Sequence, residues 1–483
     1  MTGASADEIL RRLTALRAHD VPTHGGRTLA YVYDSGLAEA DAIGREVLAL
    51  FGSTNGLDPT AFPSLLAMEQ ELVAMVGALL DAPPGFAGVA TSGGTESVLL
   101  AVLAARDARP DIAAPRMVLP TTAHAAFHKA AHYFRVEPVL VDVDPVTKRA
   151  DPDAMAAAID ASTVLLVASA PSYAHGVVDP VGPIAAAARE AGVRCHVDAC
   201  IGGWVLPFLR EDEPDQEPWT FAVDGVTSIS VDLHKYGYTP KGVSLLLHRS
   251  ADLRRAHFFA SADWPGYTML NTTMQSTKSG APLAAAWAVA RHIGPDGYML
   301  LARRAREATL GIATAVSDIP ALSLAAQPDS TLLAFTADET CDVFTISDEL
   351  LARGWYAQPQ LAFRDLPATL HLSISAATAG SVDELVRDLG TATDAAIAAG
   401  PVAPGEELVV AASSVDPAHL DEQTLTGLLA VAGMTGADGS LALPKRMAPL
   451  NALLDALPAQ LREGLLLAVL DRLTRPPTPT GSR

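Results

Sequence analysis

The chain is poor in several residues that mark common classes of protein. It holds three cysteines in 483 residues, Cys195, Cys200 and Cys341. Cys195 and Cys200 stand five apart, with no second Cys or His pair to complete a zinc spacing, so no metal site is expected. A sparse, odd count suits a reducing compartment. Basic residues are outnumbered, 34 Lys and Arg against 55 Asp and Glu, for a formal net charge of −21. Such a field repels phosphate backbones and argues against nucleic acid as a partner. A phosphorylated small ligand must then be held by local groups. No apolar run reaches bilayer length; Leu465–Leu470 is short and bounded by Glu463 and Asp471. The start, Met1-Thr2-Gly3-Ala4-Ser5-Ala6-Asp7-Glu8, lacks the basic residues and apolar core of a secretion signal. A cytoplasmic protein without a transmembrane segment is expected. No internal repeat is visible.

Hydrophobic residues make up 49% of the chain and aromatics only 5%. Alanine-rich helices packed around a sheet suit that balance. The length implies two or three packed units. Helical periodicity covers residues 6–18, an extended stretch follows over 24–33, and an apolar helix covers 64–80. Short apolar runs then alternate with helices: Gly88–Ser92, Met117–Leu119, Val139–Val141, Val164–Val167, Cys195–Val197 and Ser228–Val231. That alternation predicts a mostly parallel α/β sheet covered on both faces, with ligands beyond the carboxyl ends of its strands. The expected divisions are an N-terminal segment over 1–63, a large domain over 64–300, a smaller α/β domain over 301–400 and a helical extension over 401–483. Pro401–Gly405 reads as a linker, and the last ten residues as a frayed Pro-rich tail.

Four constellations at predicted strand ends carry chemistry. In Ser230-Val231-Asp232-Leu233-His234-Lys235-Tyr236-Gly237, a lysine closes an apolar strand. An amine that attacks an aldehyde must be partly desolvated to lose its proton, and a strand end facing a cleft supplies that setting. Alone, Lys235 reads as a solvated surface residue. In His196-Val197-Asp198-Ala199-Cys200, Asp198 could balance a protonated pyridine nitrogen or simply cap a helix. In Thr91-Ser92-Gly93-Gly94-Thr95-Glu96-Ser97, two glycines open a helix and let backbone amides approach an anion. Ordinary helix capping is the plainer reading. His124, in Thr122–Phe127, could stack on a flat cofactor or serve the fold alone.

Together, Thr91–Ser97 (TSGGTES), Ala123–Phe127 (AHAAF), His175–Pro180 (HGVVDP), His196–Cys200 (HVDAC), Val226–Ser230 (VTSIS) and His234–Gly242 (HKYGYTPKG) resemble the sphingosine-1-phosphate lyases. These fall within the pyridoxal 5'-phosphate (PLP) dependent group II decarboxylase family. The likeness runs from about residue 20 to 400. It implies the aspartate-aminotransferase type of fold (fold type I), with a seven-stranded large-domain sheet, a smaller C-terminal α/β domain and a homodimer. Lys235 matches the lysine that carries PLP as an imine, Asp198 the partner of the ring nitrogen, and His124 the imidazole on the ring. Gly93, Gly94, Thr95 and His234 match the phosphate cradle, and Ser230 joins the cofactor-binding set. Lys241 and Lys278 match positions near substrate. Tyr33 and Asn55 match N-terminal residues that reach a substrate pocket, the partner subunit's.

Three departures bear on substrate. Asp58 stands where the family has a histidine suited to a substrate phosphate. Lys278 stands where it has an arginine, which exchanges a bidentate fork for a point charge. Leu233 replaces a small hydroxyl residue. The first expectation is therefore retro-aldol cleavage of a 2-amino-3-hydroxy compound, phosphorylated or not. Tyr33, Tyr267 or a freed Lys235 would take the 3-hydroxyl proton. Decarboxylation of an L-amino acid is the alternative. A non-catalytic homologue is the third reading, and joint retention of Lys235, Asp198, His124 and the Gly93-Gly94 turn argues against it.

Overall fold

A computed structural model of the chain describes residues 3–405 and 444–476, with residues 409, 426, 427, 430 and 434. The tail beyond 476 and most of 406–443 lie outside the described residues. The described chain divides into two compact units. One comprises 1–314, 325–334 and 372–382; the other comprises 315–324, 335–371 and 383–483.

The first unit is built on seven strands: β1 (Ala87–Thr91), β2 (Arg116–Pro120), β3 (Glu137–Val141), β4 (Thr163–Ser169), β5 (Arg194–Asp198), β6 (Ser228–Asp232) and β7 (Ser244–His248). Their order is β1-β7-β6-β5-β4-β2-β3. The pairs from β6 through β3 are parallel, and β7 alone runs antiparallel to both its neighbours. This is the mostly parallel sheet expected from the alternating runs, with the seven strands that the resemblance implies. Strands buried on both faces carry continuous apolar sequence rather than alternation, and Thr163–Ser169 is buried at every position. The core runs through Leu72, Val118, Leu166, Val197, Ile229 and Leu245, closed on one side by Trp204.

Four N-terminal helices matter for the site: α1 (Ala6–Arg17), α2 (Ala38–Leu50), α3 (Pro63–Leu79) and α4 (Gly94–Asp107). Pro63 sits in the first turn of α3, where its missing N–H costs nothing. The long helix Gly280–Asp318 breaks at Gly294, which has φ 65°, immediately before Pro295.

The second unit contains antiparallel pairs that align Leu322 with Ala337 and Gln358 with His371. Its helix Val343–Ala352 is capped by Asp342, which accepts from Thr345 N at 2.7 Å. Its C-terminal stretch carries the helices Ala448–Ala456 and Ala459–Thr474. Asp348 fastens the first of these by accepting from Met447 N and Ala448 N, both at 2.9 Å.

Candidate active site

The sheet order decides what meets at its edge. β1, β4, β5 and β6 all end on one side, and antiparallel β7 begins there. The loops leaving those ends surround a cavity of about 480 Å³. Gly93, Gly94 and Thr95 line it from the β1–α4 turn, and His124 from the segment after β2. Asp198 and Cys200 follow β5. Asp232, His234 and Lys235 follow β6, and Lys241 precedes β7. The strand-end motifs thus converge on one space, as parallel topology requires.

The β1–α4 turn is shaped by what lies beneath it. A Cβ on Gly94 would fall 2.8 Å from Asp232 Oδ2 and from Cys200 Sγ, and 2.9 Å from Asp232 Oδ1. Only a residue without a side chain lets the helix N-terminus sit this low over the β6 end. Glu96, one turn into α4, is buried and accepts from Ser92 N at 2.6 Å and Met274 N at 2.9 Å. It pins the turn to a distant loop.

Asp198 is held from one side. Its Oδ1 accepts from Cys200 N at 3.1 Å and Ser230 Oγ at 3.4 Å, and Oδ2 has no protein partner among the described residues. Ser230 is fully buried and also bonds His196 Nε2 at 3.2 Å. It therefore stands behind Asp198 instead of on the cavity wall. His124 accepts from Ala126 N at 3.1 Å through Nδ1, which puts the proton of the neutral ring on Nε2. Its ring meets Tyr173 edge-on at 6.2 Å.

Lys235 Nζ lies 3.0 Å from Asp232 Oδ2, and His234 Nε2 lies 3.7 Å from the same oxygen. Burial alone would favour a neutral lysine. The Asp232 carboxylate, helped by Tyr33, Cys200 and Asp198, outweighs burial and holds the Lys235 ammonium above the usual lysine range. The partly desolvated, readily neutralised amine expected from the strand-end setting is thus offset by a carboxylate three residues earlier. Burial lowers His234, with Asp232 opposing. His234 Nδ1 faces Val243 O at 2.7 Å and so must carry a proton. Lys241 is pushed down to about 8 by burial and then by Lys235. Its Nζ donates to Tyr31 O at 2.9 Å and His234 O at 3.1 Å, and lies 5.0 Å from the Tyr33 ring centre.

Tyr33 is placed beside the same chain's Lys235 and packs edge-on to Tyr236 at 5.1 Å. Burial raises its hydroxyl, and Lys235 opposes. Asn55 and Lys278 go elsewhere. Asn55 bridges to Ser279, its Oδ1 accepts from Lys278 N at 3.2 Å, and Lys278 lines a second, larger cavity of about 890 Å³. Asp58 is occupied in its own turn, accepting from Thr60 N at 2.8 Å and Thr60 Oγ1 at 2.6 Å. Tyr267 is exposed and does not line the catalytic cavity. Sequence reasoning assigned nothing to Asp232, Cys200 or Tyr173. Asp232 carried one signal, its spacing of three from Lys235 at a strand end.

The model of the pyridoxal-dependent decarboxylase conserved domain matches residues 23–338. A second model, for a C-terminal HTH segment of pyridoxal-dependent enzymes, matches 406–472. The chain is 37% identical over 345 residues to the sphingosine-1-phosphate lyase of Dictyostelium discoideum, covering 71% of this chain. It spans 64% of that relative's length, slightly less than two thirds. A probable L-aspartate decarboxylase of Pyrococcus furiosus is 30% identical over 353 residues, 73% of this chain and 92% of the relative. Among solved structures, a sphingosine-1-phosphate lyase of Burkholderia pseudomallei superposes with a TM-score of 0.77 at 36% identity. The match covers 82% of this chain and 92% of that one.

Proposed function

The chain belongs to the pyridoxal-dependent decarboxylase family, in the branch that holds the sphingosine-1-phosphate lyases, and from that premise we propose that it is a PLP-dependent carbon–carbon lyase. Its substrate is a 2-amino-3-hydroxy compound, cleaved to an aldehyde and an amine. The observation that carries this reading is the meeting of Lys235, Asp198, His124 and the Gly93-Gly94 turn around one cavity.

The residues present fit the cofactor. A half-buried lysine stands at the cavity, where an aldehyde could reach it once its ammonium gives up a proton. The Asp198 oxygen Oδ2 is without a protein partner at the cavity, as a ring N–H needs. The turn at Gly93 and Gly94 opens helix α4, whose N-terminal amides suit a phosphate. Bound there, PLP supplies an electron sink for a bond broken at the amine-bearing carbon. Lys235 would hold the cofactor covalently, Asp198 would keep its ring nitrogen protonated, and His124 would offer its imidazole to the ring. Thr95 and His234 would complete the phosphate cradle, with Ser230 steadying Asp198 from behind. Lys241, held near 8, can hold or give a proton at neutral pH, and Tyr33 beside it faces the substrate's hydroxyl. Which bond breaks is set by how these groups orient the substituents.

Asp58 keeps its charge, since the hydrogen bonds from Thr60 hold it as a carboxylate, but it lines neither cavity. Decarboxylation of an L-amino acid is the second reading, favoured by the Pyrococcus relative, of which the chain covers 92%. The working form is a homodimer. The 890 Å³ cavity is lined by Leu57, Phe62, Leu65 and Leu270, and Phe259, Trp264, Tyr267 and Met274 are exposed. Apolar surface on this scale suits a second copy. Lys278, on that cavity, and Asn55, bonded to its backbone, would then act across the dimer. Residues 406–472 hold nine acidic residues against four Lys and Arg, which gives that segment no electrostatic case for a nucleic-acid backbone. No helix among the described residues is long and apolar enough to cross a membrane, and a cytoplasmic enzyme fits the free cysteines.

The test is product formation. Purified protein loaded with PLP is supplied with a long-chain 2-amino-3-hydroxy amine, with and without a phosphate, and aldehyde is detected by mass. Aldehyde that disappears in Lys235→Ala supports the lyase. Carbon dioxide from an amino acid, with no aldehyde, moves the assignment to decarboxylase.

A further inference from the structure

Asp232 is an aspartate with no role so far, yet it is the most interconnected charge in the site. It ends β6 and is 2% exposed. Its Oδ2 is 3.0 Å from Lys235 Nζ and 3.7 Å from His234 Nε2. Its Oδ1 is buried with no hydrogen bond. Both oxygens lie within 2.9 Å of where a Gly94 Cβ would stand, so the carboxylate is directly under the cradle turn.

We propose that Asp232 is a positioning residue that latches Lys235 as an ammonium, so that cofactor loading must first undo the latch. This rests on the PLP reading above. Condensation with an aldehyde uses the lone pair of a neutral amine, forms a carbon–nitrogen double bond and releases one water. The ammonium must therefore lose a proton first, and the only anion within 4 Å of its nitrogen among the described ion pairs is Asp232. The other groups facing Lys235 are Asp198, whose charge strengthens its hold on the proton, Tyr33 and Cys200, which burial keeps neutral, and Lys241, whose proton affinity it lowers in turn. His234, whose Nε2 lies 3.7 Å from the same carboxylate, cannot take over the charge: burial lowers its proton affinity, and its one ring proton is on Nδ1, facing Val243 O. A neutral Lys235 therefore leaves a buried carboxylate without a cation, and that cost holds the latch closed.

The experiment uses the full chain, stripped of cofactor with hydroxylamine and mixed with saturating PLP across pH 6–10. The rate of appearance of the visible band is followed in the wild type, Asp232→Asn and Asp232→Glu. In the wild type the rate should climb about tenfold per pH unit without levelling off below pH 9.5, as it must for an amine held above the ordinary lysine value of about 10.4. Asp232→Glu should keep that profile. Asp232→Asn should level off at least one pH unit lower and load at least tenfold faster at pH 7. A plateau below pH 9 in the wild type overturns the latch, as does an Asp232→Asn profile superimposable on it. If Asp232→Asn does not fold, Asp232→Ser takes its place with the same expectation. No visible band at any pH overturns the cofactor reading, and the latch with it. A normal band with the wrong pH profile overturns the latch only.

Discussion

The two glycines of the β1–α4 turn should fail in different ways when each gains one methyl. In Gly94→Ala the new Cβ would meet Asp232 Oδ2 and Cys200 Sγ at 2.8 Å and Asp232 Oδ1 at 2.9 Å. Both side chains are buried, Asp232 paired with Lys235 and Cys200 bonded to Ser230. Overpacking of this kind costs about 1–3 kcal/mol. Alanine is better than glycine in a helix by about 1 kcal/mol, and Gly94 is the first residue of α4, so part of that cost is returned. The net expectation is a loss of zero to about 2 kcal/mol in stability. The turn must also lift from Asp232, weakening PLP binding by about tenfold or more, which corresponds to about 1.4 kcal/mol. In Gly93→Ala the nearest atom is His234 Cε1 at 3.6 Å, an ordinary contact, and φ is 160°, which any residue adopts. Its methyl points into the cavity beside His234. Gly93→Ala should keep wild-type stability in denaturant and still lose PLP affinity. Urea midpoints on the cofactor-free proteins and a PLP titration of each separate the two. Equal stability and equal PLP affinity for Gly94→Ala and the wild type would refute the packing argument.

Further outcomes follow from the same geometry. His248 and His257 are buried, stacked at 5.3 Å, and neither ring has a hydrogen-bond partner among the described side-chain bonds. Burial holds His257 at about 4 and His248 well below its usual value. The unfolded chain therefore binds more protons than the folded one below about pH 6.5, and stability falls as pH drops through that window. His248→Phe should remove up to about 1.4 kcal/mol of that loss per pH unit, read as urea midpoints at pH 5, 6 and 7. Lys241 at about 8 predicts that turnover falls as pH rises through that value if it works as an acid. Lys241→Arg, which cannot release its proton in this range, should then lose turnover and show no such limb in a kcat–pH profile. Leu270→Glu, a change at an exposed position, should halve the mass seen in light scattering if the apolar cavity is the dimer face.

Much of the site was legible because its parts are contiguous. Gly93-Gly94 opens a helix and His234-Lys235 closes a strand, and parallel topology alone brings such ends together. Asp198 was found the same way, one strand over. What the sequence hid depends on depth and on distant loops. Ser230 pairs in register with Asp198 and is buried behind it, a placement that the pattern of β6 does not distinguish from facing the cavity. Asn55 and Lys278 are drawn to each other by the bridge at Ser279, away from the catalytic cavity of the single chain. Asp232 was passed over because an acidic residue three before a lysine is common, and only its burial turns that spacing into an ion pair. Tyr33 lies more than 200 residues from Lys235 in sequence, and no local pattern announces their meeting.

The central claim is that Lys235 carries PLP in this cavity. Borohydride reduction of the yellow protein, followed by peptide mass mapping, tests it most directly. The account predicts one modified peptide, carrying a pyridoxyl phosphate on Lys235, and no modification of Lys241 or Lys278. A modification on another lysine, or none in protein that retains the visible band, would contradict it.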